Sequence, residues 1–450
     1  MISKYLVSSL NEWVVPSHWS VIPLKHMCSA SALYGLNESS ESYSETGVRF
    51  LRTTDITEEG TLNNNPVFLD ADKVSGYLLS NRDLLISRSG TVGRCYIYDD
   101  HIGPCAYAGY LVRFVLKEEH NPWFVYYVTK SLPFMKWLSL SSIEATIGNV
   151  NGEKFANAPI PVPPQKEQDR IVHFLKSKTN EIDTLIAAKQ RLLNLLTEKR
   201  RTLITQAVTK GLDTSVEMKD SGIPWLGEIP AHWSMVTLRR LITSLEQGWS
   251  PVASNQSANI NEFGVLKLSA VKSGRLIYEE NKALASDADI PTGLFIREGD
   301  IFLTRANTPK FVGDVAIAKS DHNNLIFSDL IYRLRVRFDK VEPEWLILVL
   351  QSVIGRGQIE AEAKGSSNSM VKLAQDQVLG LLITNPSKAE QKTIIEYVQK
   401  ETEKLANLIF ATERTIKLLQ ERRAALISAA VTGKITIESM NLITESSHAN

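Results

Sequence analysis

EQDRIVHFLKSKTNEIDTLIAAKQRLLNLLTEKRRTLITQAVT, residues 167–209, aligns without a gap to EQKTIIEYVQKETEKLANLIFATERTIKLLQERRAALISAAVT, residues 390–432, at a constant offset of 223 positions. In the first stretch Ile171, Leu175, Ile182, Leu185, Leu196 and Leu203 recur at helical steps; Ile394, Val398, Leu405, Leu408, Leu419 and Leu426 do so in the second. Neither contains Pro or Gly. They follow Pro163-Pro164 and Pro386, which cannot lie inside a helix, and end near Gly211 and Gly433, the usual stop residue. At ~1.5 Å per residue each makes a rod of roughly 65 Å. Such a rod cannot bury its apolar stripe alone, and two alike stripes are most simply satisfied by packing together as a coiled coil. An antiparallel pair is expected, because it sets two globular parts at opposite ends under a pseudo-twofold axis. The stripe also exceeds a two-in-seven seam, as at Leu192-Leu193 and Leu195-Leu196. That surplus suits either a partner or the chain's own globular parts.

A second echo, VPSHW at 15–19 against IPAHW at 229–233, marks the other end of the unit. The chain is therefore a duplicated pair, each half a variable globular part followed by a shared helix. The boundaries read as 1–162 for a first globular domain and 163–209 for its helix, then a linker at 210–230 rich in turn formers and anchored by Trp225. A second domain at 231–386, a second helix at 387–433 and a disordered tail at 434–450 complete the chain. The globular parts read as mixed α/β, an α+β fold class, with alternation in RLRVRF at 333–338 and CYIYDD at 95–100. DLLISRSGTVG at 83–93 parallels DIFLTRANTPKFVG at 300–313 with a three-residue insertion, and AGYLVRF at 108–114 parallels SDLIYRL at 328–334. NPWFVYYVTKS at 121–131 parallels EPEWLILVLQS at 342–352, a helix opened at Pro122 and Pro343. One fold is shared and its surface has diverged.

At 450 residues and 43% hydrophobic composition the chain can bury more than one core. Fifty basic residues balance fifty acidic ones, so any surface that attracts nucleic acid must be local. Cys28, Cys95 and Cys105 are odd in number and form no CxxC pair, which reads as free thiols in a reducing compartment. MISKYLVSSLNEW shows no signal peptide and no apolar run approaches membrane-spanning length, so a cytoplasmic protein with no membrane partner is expected.

No catalytic constellation stands out. There is no GxxxxGK[ST] loop, no GxGxxG after a strand, no HExxH and no zinc spacing. The double proline in VPPQ at 162–165 lacks the acid or amide and the aromatic of an adenine-methylating loop, and Asp314 and Lys319 lack the partner acids of a nuclease. His18 and His232, beside Trp19 and Trp233 in the paired echoes, read as structural. No metal or cofactor site is assigned. What the globular parts do offer is basic and amide side chains beside glycine turns, groups that grip phosphates and read base edges. The candidate DNA contacts are Arg52, Arg88, Ser89, Thr91, Arg94, Asn149 and Asn151 in the first half, and Lys267, Arg305, Asn307, Lys310 and Asn368 in the second. Arg333, Arg335 and Arg337 alternate along one strand and read as a solvated face.

Together PVPPQKEQDRI at 161–171, the LLTEKRRTLITQAVTKG exit at 195–211, the linker VTKGLDTSVEMKDSGIPWLGEIPAHW at 208–233 and ALISAAVTGKI at 425–435 resemble the specificity subunits of type I restriction-modification systems. GDIFLTRANT at 299–308 and RDLLISRSGTVG at 82–93 resemble that family's target-recognition turns, while NEWVVPSHW lacks the DSGIPWLGEIP phrasing seen internally. The resemblance implies a non-catalytic reader of double-stranded DNA with two target-recognition domains. It also implies two DNA adenine methyltransferase (modification) subunits as partners, with restriction (translocase-nuclease) subunits added. No cofactor would then sit on this chain; S-adenosylmethionine, ATP and magnesium would belong to the partners. Two other classes stay open on residues alone: an enzyme that methylates DNA by itself, and a coiled-coil adaptor whose globular ends bind proteins.

Overall fold

The computed structural model describes residues 2–8, 11–143, 150–259, 261–285, 289–367 and 370–440. The two repeated stretches are long helices, Gln165–Lys210 and Lys388–Val431. The chain divides into two compact units, Met1–Gln190 with Arg414–Asn450, and Arg191–Glu413. The division cuts both helices at positions 223 apart, so each unit owns the head of one helix and the tail of the other.

In the first unit a four-stranded antiparallel sheet runs in the order Leu33–Tyr34, Leu111–Phe114, Leu84–Ser87, Cys95–Ile97. A smaller sheet pairs Val48–Leu51 with Phe68–Leu69 on one side and, in parallel, with Cys105–Tyr107 on the other. The second unit repeats this plan. Ile242–Gln247, Ile331–Val336, Ile301–Thr304 and Val315–Ile317 continue into two further strands, and Gly264–Leu266 pairs with Asn281–Ala283 and, in parallel, Leu325–Phe327. A two-stranded closure, Ser20–Pro23 with Pro159–Val162 or Ser234–Thr237 with Leu382–Asn385, ties the start of each globular part to its end just before the long helix. The fold class is therefore α+β, two mixed α/β parts with an antiparallel helix pair and an internal repeat.

Each core is reciprocal. In the first unit Ile171, Val172 and Leu175 from the head of the first helix share a core with Ile427, Ala430 and Val431 from the tail of the second. In the second unit the equivalents exchange roles: Ile394, Ile395 and Val398 pack with Ile204, Ala207 and Val208. Within the first unit Asp183 meets Arg423 at 2.8 Å, further along one helix and further back along the other, so the pair runs antiparallel. Each buried Ile or Leu here stabilises its unit by about 1.5–3 kcal/mol.

The buried or half-buried line along the first helix steps by four and three through Leu175, Thr179, Ile182, Ile186, Lys189, Leu193, Leu196, Arg200, Leu203 and Ala207. The same line recurs 223 positions later. Two residues expected in the core do not lie on it: Leu185 is 51% exposed and Leu408 54%. The seam advances from Ile182 by four residues to Ile186, which leaves Leu185 one step to the side, and it admits Arg200 and Arg423 instead. Leu195 and Leu418, another pair at the 223 offset, are also exposed.

The shared Glu-Gln dipeptide explains how each globular part is fixed to its helix. Glu167 accepts from Trp19 Nε1 (3.0 Å) and bonds His18 Nε2 (3.0 Å), and Glu390 does the same for Trp233 (3.0 Å) and His232 (3.0 Å). Gln168 and Gln391 are buried. Each accepts a backbone N–H at the start of a shorter helix earlier in the chain, Pro122–Thr129 or Pro343–Gln351, from Asn121 or Glu342 (2.9 Å both), and donates to Pro163 (2.9 Å) or Pro386 (3.1 Å). A hydroxyl on the opposite tail completes the joint: Ser428 accepts from Leu132 N (2.9 Å), and Thr205 from Val353 N (3.0 Å).

Two expectations change here. Residues 434–440, read as part of a disordered tail, pack against the first core: Met440 is buried, and Ile435 and Ile437 lie against it. Their apolar side chains at two- and three-residue spacing supply the reason; 441–450 lie outside the described residues. Trp225, expected as an anchor, is 51% exposed. Cys28, Cys95 and Cys105 are free and buried. Among the described residues no helix is long and apolar enough to cross a membrane.

Candidate nucleic-acid interface

The turns after Leu84–Ser87 and Ile301–Thr304 are built alike, bond for bond. At the strand end the Ser87 hydroxyl donates to Thr91 O and accepts from Arg94 N (2.9 Å), while Gly93 N donates to Ser87 O (2.8 Å). Thr304 repeats the pattern with Phe311 O (2.8 Å), Asp314 N (2.9 Å) and Gly313 N (2.8 Å). Gly93 and Gly313 have φ of 86° and 68°, and a Cβ there would come within 2.4 Å of Leu138 or 2.5 Å of Ile359. Only glycine closes this turn.

Between the hydroxyl and the glycine, the first turn carries RSGTV and the second RANTPKFV. The arginine that opens each is held by its backbone on both sides. Arg88 N donates to Tyr110 O (2.9 Å) and Arg88 O accepts from Val150 N (3.0 Å); Arg305 does so with Leu330 O (2.8 Å) and Leu373 N (2.9 Å). Arg88 lies over the Tyr34 ring at 5.0 Å and Arg305 over Tyr332 at 5.7 Å, contacts each contributing about 0.5–1 kcal/mol. Tyr34 also accepts from Gly152 N (2.8 Å), which brings exposed Asn151 beside the first turn. Asn151 caps the helix Gly152–Ala156 by accepting from Lys154 N (2.8 Å). In the second unit Ala306–Asn307 pairs with Met370–Lys372, and Lys310 is exposed beside Phe311, itself 48% exposed. Arg305 Nε is buried without an acceptor among the described residues.

Sequence-selected residues thus fall into two groups. Arg88, Ser89, Thr91 and Asn151 converge in one unit, and Arg305, Asn307 and Lys310 in the other. The remaining cations are engaged internally. Arg52 makes a two-pronged contact with buried Asp55 (3.0 and 2.8 Å), a hydrogen bond that raises the guanidinium's pKa. Arg94 donates to Ile56 O (2.9 Å), and Lys267, at the position matching Arg52, pairs with Glu280 (3.1 Å). Asn149 and Asn368 lie outside the described residues.

Behind each turn sits a buried ion pair. Arg113 meets Asp83 (2.7 Å) and donates to Leu78 O (3.0 Å); Arg333, fully buried, meets Asp300 (3.4 Å), Glu246 and Phe295 O (3.0 Å). The expectation of a solvated arginine face therefore fails at Arg333, whose strand lies between Ile242–Gln247 and Ile301–Thr304. Burial raises the Asp83 pKa against the pull of Arg113. Burial also works on Glu246, but hydrogen bonds from Arg333 and Ser244 prevail and hold it below the usual carboxylate range. Sequence reasoning missed Tyr34 as the platform for Arg88, because no local pattern links residues so far apart.

Residues 16–195 match the family described as type I restriction modification DNA specificity domain. The chain is similar to the EcoEI specificity subunit of Escherichia coli, 28% identical over 174 residues, covering 38% of this chain and 29% of that relative. It is also similar to the MjaVIII specificity subunit of Methanocaldococcus jannaschii, 24% identical over 303 residues and covering 66% of each. The chain thus spans under a third of the first relative's length and about two thirds of the second's. In structure it resembles a chain solved in work on assembly and conformational transition of a type I R-M system, with a TM-score of 0.70 at 14% identity, covering 93% of this chain and 99% of that one.

Proposed function

Since this chain belongs to the type I restriction-modification specificity subunits, we propose that it reads an asymmetric, bipartite target in double-stranded DNA, one half through each globular part. The observation that carries this reading is the pair of identically clamped turns bearing different side chains. A frame held by the same backbone bonds while its outward residues differ is what two readers of unlike sequence need. Arg88, Ser89, Thr91, Asn149 and Asn151 would face one half-site; Arg305, Asn307, Lys310 and Asn368 the other. Arg52, Arg94 and Lys267 would brace the loops beside them.

In this reading 1–162 and 231–386 are the two target-recognition domains and 210–230 the linker. The helices at 163–209 and 387–433 form the spacer. The chain catalyses nothing itself and acts in the cytoplasm. It recruits two methyltransferase subunits and, with them, restriction subunits; S-adenosylmethionine, ATP and magnesium act there. Exposed Leu185 and Leu418 of the first unit are matched by Leu408 and Leu195 of the second, so each unit offers a like apolar patch to a like partner.

Exchange of residues 14–160 for the corresponding part of a relative with another target tests the reading. Methylation-sensitive sequencing of host DNA should show one half-site changed and the other kept. Both halves changing together, or neither, would refute it.

A further inference from the structure

The seam that should be apolar carries an arginine in each helix, and among the described residues only one of the two has an acidic partner. Arg423 is answered by Asp183 at 2.8 Å in the first unit. Its equivalent 223 positions earlier is Arg200, and the residue that corresponds to Asp183 is Ala406. Arg200 is partly buried. Its Nε has no acceptor among the described residues, and another cation, Arg275, acts against its charge. Burial first, and Arg275 second, lower its pKa, the mark of a guanidinium without a counterion.

Arg200 lines a cavity of about 270 Å³ in the second unit, together with Arg201, Lys310, Arg356, Gln351 and Asp314. Gln351 Nε2 is a second buried donor without an acceptor among the described residues. Buried donors are almost always satisfied, so two on one cavity suit an acceptor from outside the chain. The one acid present is already engaged: Asp314 accepts from Ser273 N (3.1 and 3.2 Å) and Val315 N (2.9 Å), and burial favours its neutral form. Arg356 spends its guanidinium on Val312 O (2.6 Å), Lys310 O (3.4 Å) and the Glu360 carboxylate (3.5 Å), fixing the turn that forms the cavity's rim. With Arg356 answered by Glu360, three cations face one acid, which leaves the cavity positive.

We propose that this cavity binds a phosphate group, with Arg200 and Gln351 as its buried donors and Lys310 at its mouth. Where the first repeat supplies its own anion, Asp183, the second takes one from outside. Lys310 and Phe311 belong to the turn assigned to DNA, so the phosphate is one of the DNA backbone; that choice of source rests on the proposed function, while the cavity's chemistry does not.

Ala406→Asp tests this without removing a donor, because it gives Arg200 the partner that Arg423 already has. Arg200→Gln is the second variant. Full-length wild type should gain melting temperature with inorganic phosphate, compared with chloride at equal ionic strength, and both variants should lose that gain. In titrations with random-sequence duplex across salt, each variant should lower the slope of log affinity against log salt by about 0.9, one phosphate's share. That is about threefold less loss of affinity between about 50 and 200 mM salt. Phosphate protection lost with an unchanged DNA slope would keep the anion site and overturn its assignment to DNA. Wild type that gains from phosphate yet binds no duplex would sink the proposed function and leave the cavity standing. Equal phosphate protection in all three proteins would overturn the site itself.

Discussion

Replacing Gln391 by Leu isolates the joint between the second globular part and its helix. The side chain is fully buried, and its amide links two backbone groups for which no other partner stands among the described residues: Glu342 N at 2.9 Å and Pro386 O at 3.1 Å. Leucine has a similar volume, so no cavity term enters. What remains is one buried N–H and one buried C=O left without partners, each costing about 1–3 kcal/mol. The added apolar burial offsets a part, which leaves a loss of about 2–4 kcal/mol. With a urea dependence of roughly 2–3 kcal/mol per molar for a unit of this size, the midpoint should fall by about 1 M. The helix Pro343–Gln351 has no side-chain cap of its own, so exchange of the Glu342 amide should quicken as well. Gln168→Leu should do the same through Asn121 N and Pro163 O. If the two units unfold separately, each variant should move a different transition. A midpoint within about 0.2 M of wild type would show that the dipeptide is not what holds the parts to the helices.

Arg88→Ala and Arg305→Ala should each weaken specific DNA binding by about 1–3 kcal/mol, relaxing one half-site apiece, as target-site selection from a random pool would reveal. Inserting seven residues within 180–200 should lengthen the unread spacer between the half-sites while both persist; an unchanged spacer in methylation sequencing would refute the helices as ruler. Burial pushes the Cys28 thiol up to about 12 and Cys105 up to about 11, and raises Cys95 too. Only thiolate reacts, so native protein at pH 8 should resist iodoacetamide at all three, and mass spectrometry should find modification only after unfolding.

The long helices were legible because their apolar period and 223-residue offset are local properties of the string. The paired turns were legible for the same reason, since Ser87 and Thr304 stand at matching points of recognisable strands. His18 and His232 could be read as structural from their Trp neighbours, although Glu167 and Glu390 as their partners could not. What the string hides is which side chains spend their charge internally. Arg52 and Arg88 look equivalent in sequence, yet one grips Asp55 and the other lies over Tyr34. Arg333 reads as exposed by alternation, and is buried because partners from distant strands surround it. Leu185 reads as core because three-residue and four-residue steps are equally helical; the run of the seam chooses between them.

The reciprocal cores have a consequence for the single repeat. A chain ending at residue 212 keeps the head Ile171, Val172 and Leu175 but loses the tail Ile427, Ala430 and Val431 that covers it. It still carries its own tail, Ile204, Ala207 and Val208, which is identical residue for residue at those three positions. A hydroxyl to accept Leu132 N is present as well, at Thr205 in place of Ser428, and Arg200 is available to Asp183 in place of Arg423. Within one chain the helix carries head and tail too far apart to meet, since 33 residues at ~1.5 Å separate Ile171 from Ile204. A second copy can supply each with the other. Burying three apolar residues and one ion pair at both ends of a long seam favours association over an exposed core. The 1–212 chain should therefore sediment as a twofold dimer, and such a dimer would select an inverted repeat of the first half-site. A folded, stable monomer at micromolar concentration would mean that the head does not need a tail, and the reciprocal core would then be incidental to the fold.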